Sequence, residues 1–289
     1  MELQIASRKR AKIKMALQGT AGSGKTMSAL LIAFGLTNDW TKIAVVDSEN
    51  HSAELYSHLG QYNVVNIVAP FSPEKYMDAI HLCERGGMEV IIIDSISHEW
   101  EGKGGVLELA DALGGQYQSA WKTLTPRHEA FKQAIIQSPC HIITTVRRKQ
   151  DYVLQEKLNK HGKMVQAPVK AGFKEVTREG WGYELTVNLE LELNHYATAS
   201  KDRTNLFMGK PPFVPSEETG RMISEWCNQG LEPVPIEDRI SSCKSMNELL
   251  ALFQSADIDN QNLNLFSQRK LQLQSPKNNN NGTTTSATN

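Results

Sequence analysis

The sequence predicts an α/β chain whose mostly parallel, twisted sheet is flanked by helices, and three observations carry that prediction. The runs "TKIAVVDSE" and "MEVIIIDSIS" are short, β-branched and closed by an acid, the pattern of buried parallel strands presenting carboxylates at their ends. Stretches with helical spacing separate the strand runs. Near the amino terminus a strand pattern passes through a glycine-rich loop straight into a helix pattern.

In order, "AKIKMALQG" alternates Ile13, Met15 and Leu17 as the first strand, and "GKTMSALLIAFGLT" follows as a helix. Between the two acid-ended strands, "SPEKYMDAIHLCERGG" opens with a capping Ser72 and stops at a glycine pair. "AWKTLTPRHEAFKQAIIQSP" is the next helix, expected to be broken at Pro126, and "CHIITTVRR" is a fourth strand. After Arg148 the stretch "KQDYVLQEKLNKHGKMVQAPVKAGFKEVTREGWG" is polar and without a clear period, either a long mobile excursion or a hairpin. "YELTVNLELELNHYATAS" alternates strongly, as a late antiparallel extension of the sheet does, and "PSEETGRMISEWCNQG" closes the core with a capped amphipathic helix. The expected organisation is a core over residues 1–230, a proline-marked linker at 231–237, a small appendage of two helices at 238–272, and a low-complexity, disordered tail at 273–289.

Composition excludes more than it assigns. A formal net charge of -1 over 289 residues announces neither a nucleic-acid nor a membrane partner globally, so any basic surface is local. No apolar run approaches the roughly 18 residues of a membrane span, and "MELQIASRKRAKIK" lacks a signal peptide's apolar centre. Cys83, Cys140, Cys227 and Cys243 show no paired spacing, which argues against a zinc site and leads us to expect buried, reduced thiols in a cytoplasm.

The chemistry concentrates at Gly19-Thr20-Ala21-Gly22-Ser23-Gly24-Lys25-Thr26, a full match to G-x-x-x-x-G-K-[ST] in its required strand-loop-helix setting. Its glycines let backbone amides curl around phosphates, Lys25 neutralises β/γ oxygens, and the Thr26 hydroxyl serves Mg²⁺, so ATP with Mg²⁺ is the expected ligand. Asp94, at the end of "VIIIDS", holds the metal through water. Ser95 stands next to it where many AAA-type ATPases carry a catalytic Glu, so the base must come from elsewhere. Glu49, in "IAVVDSEN", ends another strand; Glu99, beyond the metal strand, is the rival.

This arrangement resembles the RecA-like branch of P-loop ATPases. RecA has a catalytic Glu shortly after an acid-ended strand, then a metal-binding Asp followed by Ser, then a polar sensor strand; here "VVDSENHSAELYSHLG", "VIIIDSIS" and "HIITTVRR" come in that order. More narrowly, "DSISHEWEGKGG", "AWKTLTPRH" and "SPCHIITTVRRK" resemble phage-encoded RecA-like ATPases of the AAA family, placed near recombination genes and including single-strand-annealing recombinases. The likeness covers roughly residues 11 to 226. It implies phosphate and metal roles for Gly19, Gly24, Lys25, Thr26 and Asp94, and water activation by Glu49. Thr145 falls where RecA senses the γ-phosphate with Gln; it is shorter, so Arg147 is the neighbouring candidate. Lys201 and Arg203 have the Lys-x-Arg spacing with which RecA-like hexamers touch the neighbour's γ-phosphate, or else form a solvated basic turn.

Two further stretches bear on a polymer ligand. The segment from Arg147 to Arg178 concentrates positive charge and holds Tyr152 and Phe173, a groove for single-stranded DNA or an ordinary solvated loop. Trp100 and Trp121 either stack on bases or are buried aromatics. The function expected is a DNA-stimulated ATPase of phage recombination or replication, acting as a homo-oligomer on single-stranded DNA to promote annealing or strand exchange. A ring helicase or helicase loader is the alternative, and a nucleotide-switched assembly module a further one. A single-strand-binding protein is a candidate partner of the carboxyl-terminal helices.

Overall fold

The structure is a computed structural model that describes residues 11–113, 117–158, 164–229, 235–255 and 260–274. The chain divides into two compact units, Met1–Gly230 and Leu231–Asn289.

In the first unit the strands are β1 (Lys14–Gly19), β2 (Ile43–Asp47), β3 (Asn63–Asn66), β4 (Val90–Asp94), β5 (His141–Leu158), β6 (Met164–Glu175), β7 (Val187–Leu191) and β8 (Ala197–Asp202). They form one eight-stranded sheet in the order β3-β2-β4-β5-β1-β7-β8, with β6 paired to β5 alone. Every pair from β3 across to β7 is parallel. β8 turns back antiparallel on β7, the expected late extension. The helices are α1 (Lys25–Thr37), α2 (Pro73–Arg85), α3 (Ser97–Glu101), α4 (Val106–Ala112), α5 (Tyr117–Gln137), α6 (Trp181–Glu184) and α7 (Glu217–Asn228).

Both faces of the sheet are covered, which is why its strands read as continuous apolar runs rather than alternating ones. Met15, Leu17, Val45, Ile92, Ile143 and Leu189 face a cluster completed by α1 and α7. Ala16, Val46, Ile91, Ile93, Ile142 and Val146 face the opposite cluster with Tyr76, Ile80 and Phe131 of α2 and α5. α1 and α7 approach backbone to backbone: a Cβ on Gly35 would lie 2.8 Å from the Gly220 Cα, so only glycine permits this packing. Ser72 caps α2 by accepting from the Lys75 amide, and Ser216 caps α7 through a reciprocal box with Thr219.

Three expectations change, and one open alternative is decided. α5 runs unbroken through Pro126, because that residue and Lys122, whose carbonyl the proline cannot satisfy, are exposed on the solvent side, where the lost hydrogen bond costs least. "CHIITTVRR" is the fifth strand, since the polar "NVVN" forms edge strand β3. β5 does not stop at Arg148 but continues, and the excursion is a hairpin pairing from Arg148↔Glu175 to Leu158↔Met164. Among its described residues the second unit holds three helices, α8 (Ile236–Ser242), α9 (Met246–Ser255) and α10 (Asn260–Gln274), packed around Ile240, Cys243, Leu249, Leu252 and Phe266. Helix α8 therefore begins inside the expected linker, whose residues 231–234 lie outside the described residues, as do residues 275–289 of the expected tail. The four cysteines are buried and free. Among the described residues no helix is long and apolar enough to cross a membrane.

Candidate functional site

Parallel strands deliver the site residues to one edge of the sheet. Register places Gly19 beside Arg147 and Asp47 beside Asp94, so the ends of β1, β2, β4 and β5 converge. Between β1 and α1 the loop turns through Gly22 and Gly24, at φ 81° and 83°, a left-handed backbone that glycine adopts without strain. A Cβ on Gly24 would also lie 2.6 Å from Nδ1 of His195, whose imidazole from the β7–β8 turn rests on the loop. The opening amides of α1 face this loop with no acidic side chain in the first turn, which favours an anion there. Lys25 Nζ donates to the carbonyls of Gly19 at 3.1 Å and Thr20 at 2.8 Å, oxygens standing where phosphate oxygens would compete. Burial pulls its pKa down, against the opposing charges of Asp94 and Glu49.

Asp94 is the next layer. Thr26 Oγ1 donates to its Oδ2 at 2.6 Å, and Thr145 Oγ1 donates to its Oδ1. Burial pushes the Asp94 carboxyl above the usual carboxylate range, with the two hydroxyls working against that push. The Thr145 hydroxyl is thus occupied in positioning Asp94, which departs from its expected sensor role. A hydroxyl and a carboxylate side by side are hard oxygen donors that fit Mg²⁺. Among the described residues no group of three His, Cys, Asp or Glu could hold a metal by itself, so a cation here would draw its other ligands from phosphates and water. Bound there, Mg²⁺ would supply charge neutralisation between β- and γ-oxygens.

Glu49 follows the end of β2. The turn is built by Asp47, which accepts from the amides of Glu49 at 2.6 Å and Ala53 at 2.8 Å. The Glu49 carboxylate accepts from Ser95 Oγ at 2.9 Å and from Arg147 through both Nε, at 2.9 Å, and Nη2. Burial pushes its pKa up most, but the Arg147 guanidinium, His98 and the Ser95 hydroxyl together outweigh burial and hold it below the usual glutamate range. Its side chain keeps 20% exposure, and that of Arg147 39%, so the pair is open to solvent at the site. Ser95, unusual beside the metal acid, therefore orients the acid from the other strand.

Glu99 does not belong to this constellation. It is 0% exposed, and its carboxylate meets His128 Nδ1 of α5 at 3.0 and 3.2 Å. Burial raises its pKa, with His128 opposing. The physical reason is its place in α3, which turns Glu99 inward under Trp100 rather than toward the loop. Glu99 as rival base is corrected accordingly: it is a buried partner of His128.

Lys201 and Arg203 stand on and just after β8 and cap the carboxyl end of α6 in their own chain: Lys201 Nζ donates to the carbonyls of Gly182, at 3.0 Å, and Tyr183, and Arg203 Nη2 to Tyr183 at 3.3 Å. Of the basic segment, Arg148 is paired with Glu190 and Lys149 with Glu101, each at 2.6 Å. Phe173 is 51% exposed. Lys160 and Lys163, and the side chains of Tyr152, Lys157 and Lys170, lie outside the described residues. Two residues escaped the sequence reading. His195 left no signal, but Gln18 did, as a polar residue inside a buried strand; it is 0% exposed and donates to Glu175 of β6 at 2.6 Å.

No curated protein matches the chain. Among solved structures, a KaiC-like protein from the hyperthermophilic archaeon Pyrococcus horikoshii OT3 is similar at 16% identity and a TM-score of 0.38, over 70% of this chain and 85% of that one. A family model described as an AAA domain matches residues 11–204, which hold the loop, Glu49, Asp94, Thr145, Arg147 and the whole hairpin. With its glycine-rich loop, strand-end Asp94 and parallel sheet in place, the chain belongs to this AAA-domain family of P-loop ATPases.

Proposed function

We propose that the protein is a single-stranded-DNA-stimulated ATPase of phage recombination or replication, which as a homo-oligomer uses ATP to switch its grip on the strand and promote annealing or strand exchange. The observation that carries this reading is the course of β5. One strand brings Thr145 to Asp94 and Arg147 to Glu49, then continues without interruption as one arm of the hairpin. A second tie runs from Glu175 on the other arm to Gln18, one residue before the phosphate loop. Whatever bends the hairpin root therefore acts on the nucleotide site.

In this account Glu49 orients and deprotonates the attacking water, Lys25 stabilises charge on the γ-phosphate, and Arg147 is the link that moves between Glu49 and the phosphate. The basic residues of the segment follow the DNA backbone. Lys201 and Arg203 reach the nucleotide of an adjacent subunit, leaving the carbonyls they cap when alone.

The test is ATP hydrolysis with and without single-stranded DNA across a salt series, for the native chain and for Lys25→Ala. Stimulation that fades as salt rises is expected, because phosphate contacts release counterions. Hydrolysis indifferent to DNA at low salt would refute the reading. Mixing Lys25→Ala with Arg203→Ala chains should partly restore hydrolysis if Arg203 acts on a neighbour.

A further inference from the structure

Beside the hairpin root, α3, α4 and α5 on one side and β5, β6 and the segment after β6 on the other border an open cavity of about 720 Å³. Trp100, Trp121 and Leu107 line it together with charged groups from the hairpin root. The two indole rings lie with centroids 5.8 Å apart and planes inclined by 31°, and the Arg178 guanidinium sits 5.8 Å from the Trp121 ring centroid. Both tryptophans are half-buried. The Trp100 ring is fixed from behind: it meets His128 edge-on at 5.6 Å, and His128 is held by Glu99, both fully enclosed. A buried polar pair thus sets the orientation of an aromatic wall.

We propose that this cavity receives one unstacked nucleobase of the bound single strand, stacked against the Trp100–Trp121 pair. The inference rests on the single-stranded-DNA reading above and assigns that ligand a subsite. Charge decides for a base and against a phosphate. The lining carries Lys149, Lys174 and Arg178 against Glu101, Asp151, Glu175 and Glu179, a net excess of one acid, so a phosphate entering it would be repelled. A neutral, flat heterocycle is not repelled, and it stacks on indole whatever its sequence. Carboxylates in the wall accept hydrogen bonds from exocyclic amino groups, which thymine lacks, so cytosine is favoured over thymine. Lys149, with 63% of its side chain exposed, stands at the rim where the sugar-phosphate backbone would pass.

The test is an anisotropy titration of the full chain with labelled oligo-dC, oligo-dT and an equally long abasic strand that keeps every phosphate and lacks bases. The native chain should bind oligo-dC tightest and the abasic strand weakest. Trp121→Ala should weaken oligo-dC binding by roughly tenfold or more and leave the abasic strand unaffected. Trp121→Phe, which keeps a stacking face, should retain most of the affinity, and Glu179→Gln should narrow the gap between oligo-dC and oligo-dT. Native protein that binds oligo-dC and the abasic strand equally would overturn the base site while leaving the single-stranded-DNA reading intact. Failure of every strand to bind at low salt would overturn both. Displacement of oligo-dC by excess free dCMP would mark a mononucleotide site instead and overturn the inference. If Trp121→Ala loses its basal hydrolysis, and with it evidence of folding, the Trp121→Phe variant and the native oligo-dC against abasic comparison decide alone.

Discussion

Two glutamate pairs follow the carboxyl ends of neighbouring parallel strands, β2 and β4, and have opposite characters. Glu49 meets a guanidinium, keeps a fifth of its side chain in solvent, and sits below the usual carboxylate range. Glu99 meets an imidazole in a fully enclosed space and sits above that range. Partner and burial, rather than nearness in sequence to Asp94, decide which carboxylate ionises more readily and is reachable by water. The first pair is suited to chemistry that changes during a cycle. The second is suited to holding Trp100 still.

The contrast can be broken most strongly at Glu49. Glu49→Gln should lower hydrolysis by about 10²–10⁴-fold while nucleotide binding persists, measured by single-turnover kinetics beside a fluorescent-nucleotide titration. Retained hydrolysis in that variant would move the base elsewhere. Glu99→Ala should instead destabilise the fold by about 3 kcal/mol, since it leaves His128 buried without its partner. Glu99→Gln, which can still donate to or accept from the ring, should keep near-native hydrolysis at temperatures where it is folded. A collapse of hydrolysis in folded Glu99→Gln would return Glu99 to the chemistry.

Acidity sharpens the same contrast at a smaller scale. The folded pKa of Glu49 is depressed, so its contribution to stability is present above the unfolded value, about 4.3, and is lost as pH falls through the folded one. Glu99 has a raised folded pKa, so folding binds its proton more tightly and stability declines as pH climbs above the ordinary glutamate value. A series of melting temperatures against pH should therefore flatten on its higher-pH side in Glu99→Gln. The smallest effect is expected at Arg127, which forks onto Glu74 with both side chains a third or more exposed. Arg127→Ala should cost under about 1 kcal/mol by chemical denaturation, the scale of an exposed pair.

Much of the fold was legible because it follows from local rules. β-Branched runs became the buried strands, and Ser72 and Ser216 capped helices as their spacing implied. The course of the glycine loop and the place of Asp94 at a strand end beside Thr26 were legible because left-handed turns demand glycine and an acid closing a β-branched run marks the end of a buried strand. The misses share a different cause. "NVVN" is too short and too polar to show a strand period, and it is held by pairing with β2 at the edge. Pro126 looks like a breaker until its exposed position is known. Glu99 looks catalytic in one dimension, and only the packing of α3 against α5 shows where it turns. The grip of Arg147 on Glu49 joins residues 98 apart in sequence, a distance no local pattern spans.

We propose that β5, through Arg147, ties the hairpin to Glu49, the acid assigned to water activation. This tie is tested most directly by the ratio of ATP hydrolysis with saturating single-stranded DNA to hydrolysis without it, in the native chain and in Arg147→Ala, with DNA affinity measured beside it. The account predicts a ratio well above one for the native chain and near one for Arg147→Ala, at little changed affinity. Undiminished stimulation in Arg147→Ala would contradict it.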